Sequence, residues 1–194
     1  MLKLTGTTKI NIAVFISGNG SNLKNLILKS LKKRSKFEIK LIISDKATSK
    51  GLKYARKFRI KKKIIDYLNR RNAEKTIFVE LKKNDIDLIC LAGYMKILSK
   101  NFIKKFKGKI INIHPSLLPK YKGLNTHQRV INNKEKYSGC TIHYVTSKLD
   151  SGKIILQKKV KVLKSDDSNK LAKRILKQEH ILYPKALKKV FISL

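Results

Sequence analysis

The chain of 194 residues has little of several features that would define its class. It has no tryptophan, three prolines and only two cysteines, Cys90 and Cys140. Two cysteines cannot build a disulfide framework, and with only four histidines a structural zinc site is not expected. The first nine residues lack the apolar segment of a signal peptide, and no apolar run approaches the roughly 18 residues of a membrane span. We therefore expect a cytoplasmic protein without a bound metal, whose cysteines are reduced core residues.

Acidic residues are also scarce. Asp and Glu number 12 against 47 Lys and Arg, which gives a formal net charge of +35. Such a charge first suggests a nucleic-acid partner. However, 40 of the basic residues are lysines spread along the whole chain, and only 7 are arginines, the type that dominates specific base contacts. Lys, Ile and Asn share A/T-rich codons, so we expect base composition to be the main cause, with partner binding as the alternative.

Apolar runs rich in Ile and Val alternate with helical patterns, which is typical of βαβ units. We expect one α/β domain over residues 1–194, a Rossmann-like open, mostly parallel twisted sheet with helices on both faces. The expected strands cover 10–16, 38–44, 63–66, 87–91, 110–113, 137–145 and 153–162. The first expected helix begins at Ser21. The others cover 48–58, 72–83 and a C-terminal stretch from about Asp167, which Pro184 is expected to kink or divide.

The first expected helix carries a capping residue and an apolar face. Ser21 is expected to cap it, and the apolar face is expected to comprise Leu23, Leu26, Ile27 and Leu31.

A glycine-rich segment, Ser17-Gly18-Asn19-Gly20-Ser21-Asn22, follows the first expected strand. Glycines allow a sharp turn, and a helix N-terminus offers free N–H groups, so this combination can bind phosphate. The segment lacks the third glycine of a dinucleotide fingerprint and the Gly-Lys-Ser/Thr of a Walker A loop. A phosphate monoester is the predicted ligand, and a plain strand-to-helix turn is the alternative.

Two further positions carry polar chemistry. Asn112 and His114 alternate along an expected strand, so they share a face, and an amide beside an imidazole suits an oxyanion. Asp150 stands in the turn Leu149-Asp150-Ser151-Gly152, where a carboxylate can orient a histidine and raise its pKa. A structural histidine and an Asp that only shapes the turn are the alternatives. The sequence has no Gly-x-Ser-x-Gly motif and no Cys in a nucleophile setting, so any acyl transfer is expected to be direct.

Five segments in order resemble the phosphoribosylglycinamide formyltransferase family, over nearly the whole chain. They are Ile16-Ser17-Gly18-Asn19-Gly20-Ser21-Asn22-Leu23, Leu91 to Ser99, Asn112 to Tyr121 with Gly123-Leu124 and Thr126-His127, Leu149 to Gly152, and Gln178-Glu179-His180. The resemblance implies the formyltransferase fold and direct transfer of a formyl group. It implies 10-formyltetrahydrofolate as donor and 5'-phosphoribosylglycinamide (GAR) as acceptor, in purine biosynthesis.

The resemblance also implies which residues act. The catalytic group is Asn112, His114 and Asp150, with Asp150 keeping His114 protonated. Residues that bind GAR are Gly20, Ser21, Asn22, Leu176, Lys177, Gln178 and Glu179. Residues that bind the folate are Arg70, Met95, Lys96, Ile97, Leu98, Asn112, Thr146, Ser147, Lys148, Leu149 and Asp150. The phosphate site then lies in an N-terminal half, about 10–100, and the catalytic and folate residues mainly in a C-terminal half, about 101–194.

Three alternatives stay open. Methionyl-tRNA formyltransferase shares the Asn-x-His segment but carries a second domain, for which we expect no room here. Formyltetrahydrofolate hydrolase carries an added N-terminal domain, which we also do not expect. A non-enzymatic basic RNA-binding protein would suit the charge, but aromatics are sparse at 7% and not clearly interleaved with basic residues. We expect small-molecule substrates, no specific nucleic acid, no membrane, and a monomer or homodimer.

Overall fold

The computed structural model describes residues 9–192. Within them the chain forms two compact units, which divide between Ile110 and Ile111. The strands are β1 (Ile10–Ile16), β2 (Phe37–Ser44), β3 (Lys61–Ile64), β4 (Leu88–Leu91), β5 (Lys109–His114), β6 (Tyr137–Tyr144) and β7 (Ile154–Lys161). The helices are α1 (Ser21–Ser30), α2 (Leu52–Lys57), α3 (Arg70–Lys83), α4 (Lys100–Lys105), α5 (Thr126–Asn132) and α6 (Ser168–Ile192).

The first unit is built on parallel strands. β1 pairs with β2 on one side and β4 on the other, and β3 pairs with β2, all in parallel. Residues Ile12 to Ile16 of β1 are completely buried, as expected for a central strand covered on both faces. Because the strands run in parallel, β1, β2 and β4 end at the same edge, where ligands of α/β sheets collect.

The second unit contains the antiparallel strands. β5 pairs with β6, and β6 pairs with β7, both antiparallel. The register sets Asn112 opposite His143 and His114 opposite Thr141. The strand order is β3-β2-β1-β4-β5-β6-β7. The open, mostly parallel α/β sheet that the sequence predicts is therefore confirmed.

Several element bounds differ from the sequence predictions. The helix expected over 48–58 is shorter, and β3 begins two residues before the expected strand. Two short helices, α4 and α5, were not predicted, because six or seven residues give too few turns for a periodic apolar pattern. Among the described residues no helix combines the length and the apolar character needed to cross a membrane.

The start of α1 differs from the expectation in a way that affects the glycine segment. Gly20, not Ser21, is the N-cap residue, and it caps without a side-chain hydrogen bond. Gly20 has a φ of +70°, and its Cα lies against Gly51, whose N–H donates to the Gly18 carbonyl at 2.9 Å. The left-handed conformation and this close approach both require glycine. Leu31, expected on the apolar face, is the C-cap and is 65% exposed.

Pro184 was expected to kink or divide the C-terminal helix; the helix is continuous, so Pro184 does not divide it. A proline inside a helix removes one backbone hydrogen bond and costs about 3 kcal/mol. The apolar face of α6 is buried on both sides of Pro184, through Leu171 and Ile175 before it and Leu187 and Val190 after it. Burial of several such side chains, at roughly 1.5–3 kcal/mol each, outweighs the cost of the proline.

Gly20→Ala should destabilise the protein by about 2 kcal/mol or more, because a Cβ at this position would lie 2.6 Å from the Gly51 Cα and φ is positive. Gly18→Ala is the matched control. A Cβ at Gly18 meets nothing within 4 Å, and its φ lies outside the left-handed region. We expect the control to stay within about 0.5 kcal/mol of the unsubstituted protein in urea unfolding. Equal losses in the two variants would contradict this description of the turn.

Candidate functional site

A buried histidine–carboxylate pair lies in the second unit. The Nδ1 of His114, the last residue of β5, is 3.3 Å from Oδ2 of Asp150, and the two side chains are 7% and 8% exposed. The Nε2 of His114 lies 2.8 Å from the backbone carbonyl of Tyr121. Because a carbonyl only accepts, Nε2 carries a proton and donates it to this bond. The ring is therefore fixed at both nitrogens.

The segment 115–125 supplies backbone groups to both members of the pair. While the Tyr121 carbonyl accepts from His114, the Gly123 N–H donates to Asp150 Oδ2 at 2.9 Å. The other carboxylate oxygen, Oδ1, lies 3.6 Å from His143 Nε2. Asp150 itself has a φ of +44°, an uncommon conformation that Asp tolerates better than most residues.

Asn112 is held by His143, a residue that the sequence analysis missed. The Asn112 Nδ2 and His143 Nε2 atoms are 3.2 Å apart, and His143 Nδ1 is 2.9 Å from the Tyr144 carbonyl. The carbonyl requires a proton on Nδ1, and Nε2 can then accept from the Asn112 amide. One signal was present in the sequence: His143 lies in the apolar run 137–145 that the sequence predicts to be a strand. The structure thus brings Asn112, His114 and Asp150 together through His143.

The pKa values of His114 and Asp150 are both lowered, for different physical reasons. Burial lowers the pKa of His114, and it outweighs the raising effects of the Tyr121 carbonyl and the Asp150 carboxylate. Asp150 therefore acts on His114 in the expected direction by raising its pKa, while desolvation, which disfavours the imidazolium, opposes it. Burial would raise the pKa of Asp150, but the adjacent His143 ring, the hydrogen bond from the Gly123 N–H and the nearby His114 together hold it below its usual range.

His127 is a second residue that the sequence analysis did not select for the site. It is the second residue of α5. Burial and the nearby His114 both lower its pKa. Its Nδ1 is buried without a hydrogen-bond partner. Both effects disfavour a positive charge on this ring.

The glycine segment lies in the first unit, between β1 and α1. Ser21 and Asn22 are the first two residues of α1, so their backbone amides belong to the helix N-terminus. Ser17 connects this segment to the one that follows β4. Its hydroxyl accepts from the Met95 N–H at 2.8 Å, and its own N–H donates to the Gly93 carbonyl at 3.1 Å.

The four residues expected to form a folate wall, Met95 to Leu98, differ in exposure. Met95 and Ile97 are 60% and 61% exposed, whereas Leu98 is buried and can offer a ligand only its backbone. Lys96 is exposed, and its Nζ lies 3.8 Å from Oδ2 of the buried Asp45. The side chains that can contact a ligand here are therefore Met95, Lys96 and Ile97.

Arg70 opens α3, behind the N-cap residue Asn69. It lines a cavity of about 430 Å³. Phe78 and Phe102, whose ring centroids are 4.6 Å apart, form its apolar part. The remaining basic residues of the lining are Arg71, Lys75 and Lys105. The position is exposed and strongly basic, which suits a carboxylate-bearing ligand.

The remaining expected GAR-binding residues lie on one turn of α6. Lys177 is exposed, Leu176 and Gln178 are half-buried, and Glu179 is buried. Burial together with Glu179 raises the pKa of the neighbouring Cys140 thiol to about 12, so this cysteine is not a nucleophile.

The segment Thr146 to Leu149 lies between Tyr144 of β6 and Asp150 and is exposed throughout. The Thr146 hydroxyl closes the turn through the backbone of Lys148, donating to its carbonyl at 3.2 Å and accepting from its N–H at 3.4 Å. Ser147 and Leu149 make up the rest of this exposed segment. No group of three or more His, Cys, Asp or Glu side chains in residues 9–192 is arranged to hold a metal ion.

The lowered histidine pKa values predict a stability that falls in mild acid. Below pH about 6.5 the unfolded rings take up protons that folded His114 and His127 take up only at lower pH, so the free energy of unfolding decreases as pH falls. His127→Gln removes one of these groups. Urea unfolding between pH 7.5 and 5.5 should then show a shallower decline, by less than about 1 kcal/mol because the ring is partly exposed to solvent screening. An unchanged decline in this variant would contradict the assignment.

Comparison with known proteins identifies the family. The formyl transferase family model matches residues 10–187. The chain is 38% identical to phosphoribosylglycinamide formyltransferase of Escherichia coli (strain K12), over 90% of this chain and 84% of that protein. It is 42% identical to the trifunctional purine biosynthetic protein adenosine-3 of Gallus gallus, over 95% of this chain but only 19% of that protein, so it spans about a fifth of that relative's length.

Solved structures agree with this match. The crystal structure of phosphoribosylglycinamide formyltransferase from Brucella melitensis has a TM-score of 0.89 and 42% identity, covering 94% of this chain and 96% of that one. The resemblance that the sequence motifs indicated is confirmed. The chain belongs to the formyl transferase family.

Proposed function

We propose that this protein transfers the formyl group of 10-formyltetrahydrofolate to the amine of GAR, giving formyl-GAR and tetrahydrofolate in purine biosynthesis. The arrangement of Asn112, His114 and Asp150 carries the proposal. An amide N–H, an imidazole and an ionised carboxylate lie together at the end of β5, and backbone groups fix the two ionisable side chains. The family and the names of the relatives support the same reaction.

The reaction needs a site that stabilises an oxyanion. The GAR amine attacks the formyl carbon, a C–N bond forms, and the carbonyl oxygen gains a negative charge. One Asn112 N–H bonds to His143, so the second is available for this oxygen. Preorganised donors of this kind typically contribute a few kcal/mol each to the stability of the transition state.

His114 becomes positively charged as the oxyanion forms. Burial keeps its pKa low in the unliganded protein, and an adjacent negative charge reverses this preference. The Asp150 carboxylate then faces an imidazolium Nδ1 at 3.3 Å and stabilises it. As the intermediate collapses, the bond from the formyl carbon to N10 of the folate breaks. The proton lost by the amine passes through a water beside Asp150 to that nitrogen.

The substrates are placed by the other expected residues. The backbone of Gly20, Ser21 and Asn22 at the α1 N-terminus binds the GAR phosphate. Glu179 contacts the ribose hydroxyls, and the turn Leu176 to Gln178 borders this position. Arg70, Met95 to Leu98 and Thr146 to Asp150 contact the folate, mostly through backbone groups and exposed side chains.

We place the reaction in the cytoplasm, with both partners small molecules and no specific nucleic acid. Cys90 and Cys140 are buried free thiols, which suits a reducing compartment. The catalytic arrangement, and not the charge, defines the function, so any RNA binding should be weak and sensitive to salt.

The purified full chain should form formyl-GAR from 10-formyltetrahydrofolate and GAR, measured by mass spectrometry and by the absorbance of tetrahydrofolate. Two parallel reactions replace GAR with charged initiator tRNA or omit the acceptor. Formyl-GAR in the first reaction and no product in the others is the expected result. Formylated tRNA without formyl-GAR would favour methionyl-tRNA formyltransferase, and release of formate without an acceptor would favour a hydrolase.

A further inference from the structure

The segment 115–125 contacts both His114 and Asp150 through its backbone, so its conformation determines where both side chains lie. Three of its residues have left-handed φ angles, +55° at Tyr121, +77° at Gly123 and +55° at Asn125. Glycine adopts this conformation freely, but a tyrosine does so only when surrounding contacts fix it. The contacts that fix Tyr121 therefore also fix the carbonyl that binds His114.

Arg129 of α5 contacts the segment at three places. Its Nη1 donates to the Lys122 carbonyl at 2.7 Å and lies 3.4 Å from the Leu124 carbonyl. Its guanidinium carbon lies 5.2 Å from the centre of the Tyr121 ring, within the range of a cation–π interaction. One side chain thus holds residues on both sides of Gly123, whose N–H donates to Asp150.

The Tyr121 ring has a second anchor at its hydroxyl. The Oη donates to Glu135 Oε1 at 2.9 Å and accepts from Asn133 Nδ2 at 3.0 Å. Glu135 also accepts from Lys120 Nζ at 3.0 Å, and the bonds from Lys120 and Tyr121 lower the pKa of its carboxyl. The carboxylate therefore stays ionised at neutral pH, which strengthens the bond from the tyrosine hydroxyl.

We propose that Arg129 is a positioning residue for the catalytic pair. It holds the Tyr121 carbonyl on His114 and the Gly123 amide on Asp150, without touching the reacting atoms itself. The inference rests on the proposed function for its effect on turnover, but its effect on His114 is independent of that function. Neither the charge nor the folding of α5 alone accounts for an arginine at this place, because one guanidinium nitrogen reaches two carbonyls while the guanidinium group also lies over a ring face.

Two effects of Arg129 on His114 must be separated in the test. The titratable and charged groups near His114 are Asp150, His143, His127 and Arg129, and the positive charge of Arg129 lowers the pKa of His114. Removing that charge would raise the pKa, whereas loosening the bond to Tyr121 would lower it. Arg129→Lys keeps the charge and loses the planar fork, so it isolates the positioning effect.

We expect Arg129→Lys to reduce kcat for formyl transfer about 10- to 100-fold, the range expected when a catalytic group moves by about 1 Å. KM for both substrates should stay within about twofold, since the substrate contacts are unchanged. The pKa of His114, followed by NMR titration of the histidine ring protons, should fall. Glu135→Gln weakens the second anchor and should produce both changes to a smaller extent.

Arg174→Lys is the matched control. Arg174 donates to the Lys161 carbonyl at 2.6 Å and forms an ion pair with Asp166, so it resembles Arg129 in its backbone and charged contacts. This control should lower Tm without changing kcat or the pKa of His114. A purely structural role for Arg129 would make the two variants behave alike.

The proposal is overturned if Arg129→Lys leaves kcat and the His114 titration as in the unsubstituted protein, or if it changes only Tm, as the control does. Should Arg129→Lys fail to fold, an unchanged His114 titration in Glu135→Gln overturns the proposal, and a lowered pKa supports it. A lowered His114 pKa in a protein that shows no formyl transfer at all would support the positioning role and contradict the proposed function.

Discussion

The contact between His114 and Asp150 is the constraint on which the second unit depends. A buried carboxylate is stable only when its oxygens are paired, and here the Gly123 amide and two histidines surround Asp150. A buried histidine likewise needs partners at both nitrogens, which the Tyr121 carbonyl and Asp150 supply. The antiparallel register of β5 and β6 places Asn112 opposite His143, and segment 115–125 supplies the Tyr121 carbonyl and the Gly123 amide. The groups that stabilise the buried pair are the same groups that take part in the proposed reaction.

Several of the few acidic residues are paired with basic side chains. Glu80 pairs with Lys61 and Lys63, and Asp166 forms an ion pair with Arg174. Most lysines are exposed, so the charge of +35 is a property of the solvated surface and not of the folded core. Both proposed substrates are anions, and a positive field around the molecule raises their local concentration. The charge that first suggested a nucleic-acid partner is thus compatible with a small-molecule enzyme.

The long elements and the Asn-x-His pair were predictable because their signals are local. The buried run of β1, the period of α6 and the alternation that places Asn112 and His114 on one strand all appear in the sequence. The capping role of Gly20 was not predictable, because it depends on the approach of Gly51, which is distant in the chain. The low pKa of His114 was missed for a related reason: a neighbouring carboxylate is visible in a motif, whereas burial belongs to the folded molecule. The contacts of Arg129 and His143 likewise exist only in three dimensions.

The rate of the chemical step in Asp150→Asn tests the central claim most directly. Asparagine keeps an oxygen that accepts from the Gly123 amide, so the turn should be retained while the charge beside His114 is lost. Asp167→Asn, at an exposed position, is the control. In a single-turnover reaction with saturating GAR and 10-formyltetrahydrofolate, the account predicts a rate at least about a hundredfold below that of the unsubstituted protein, the usual scale for a group that assists proton transfer. A single-turnover rate within about threefold of the unsubstituted protein would contradict it.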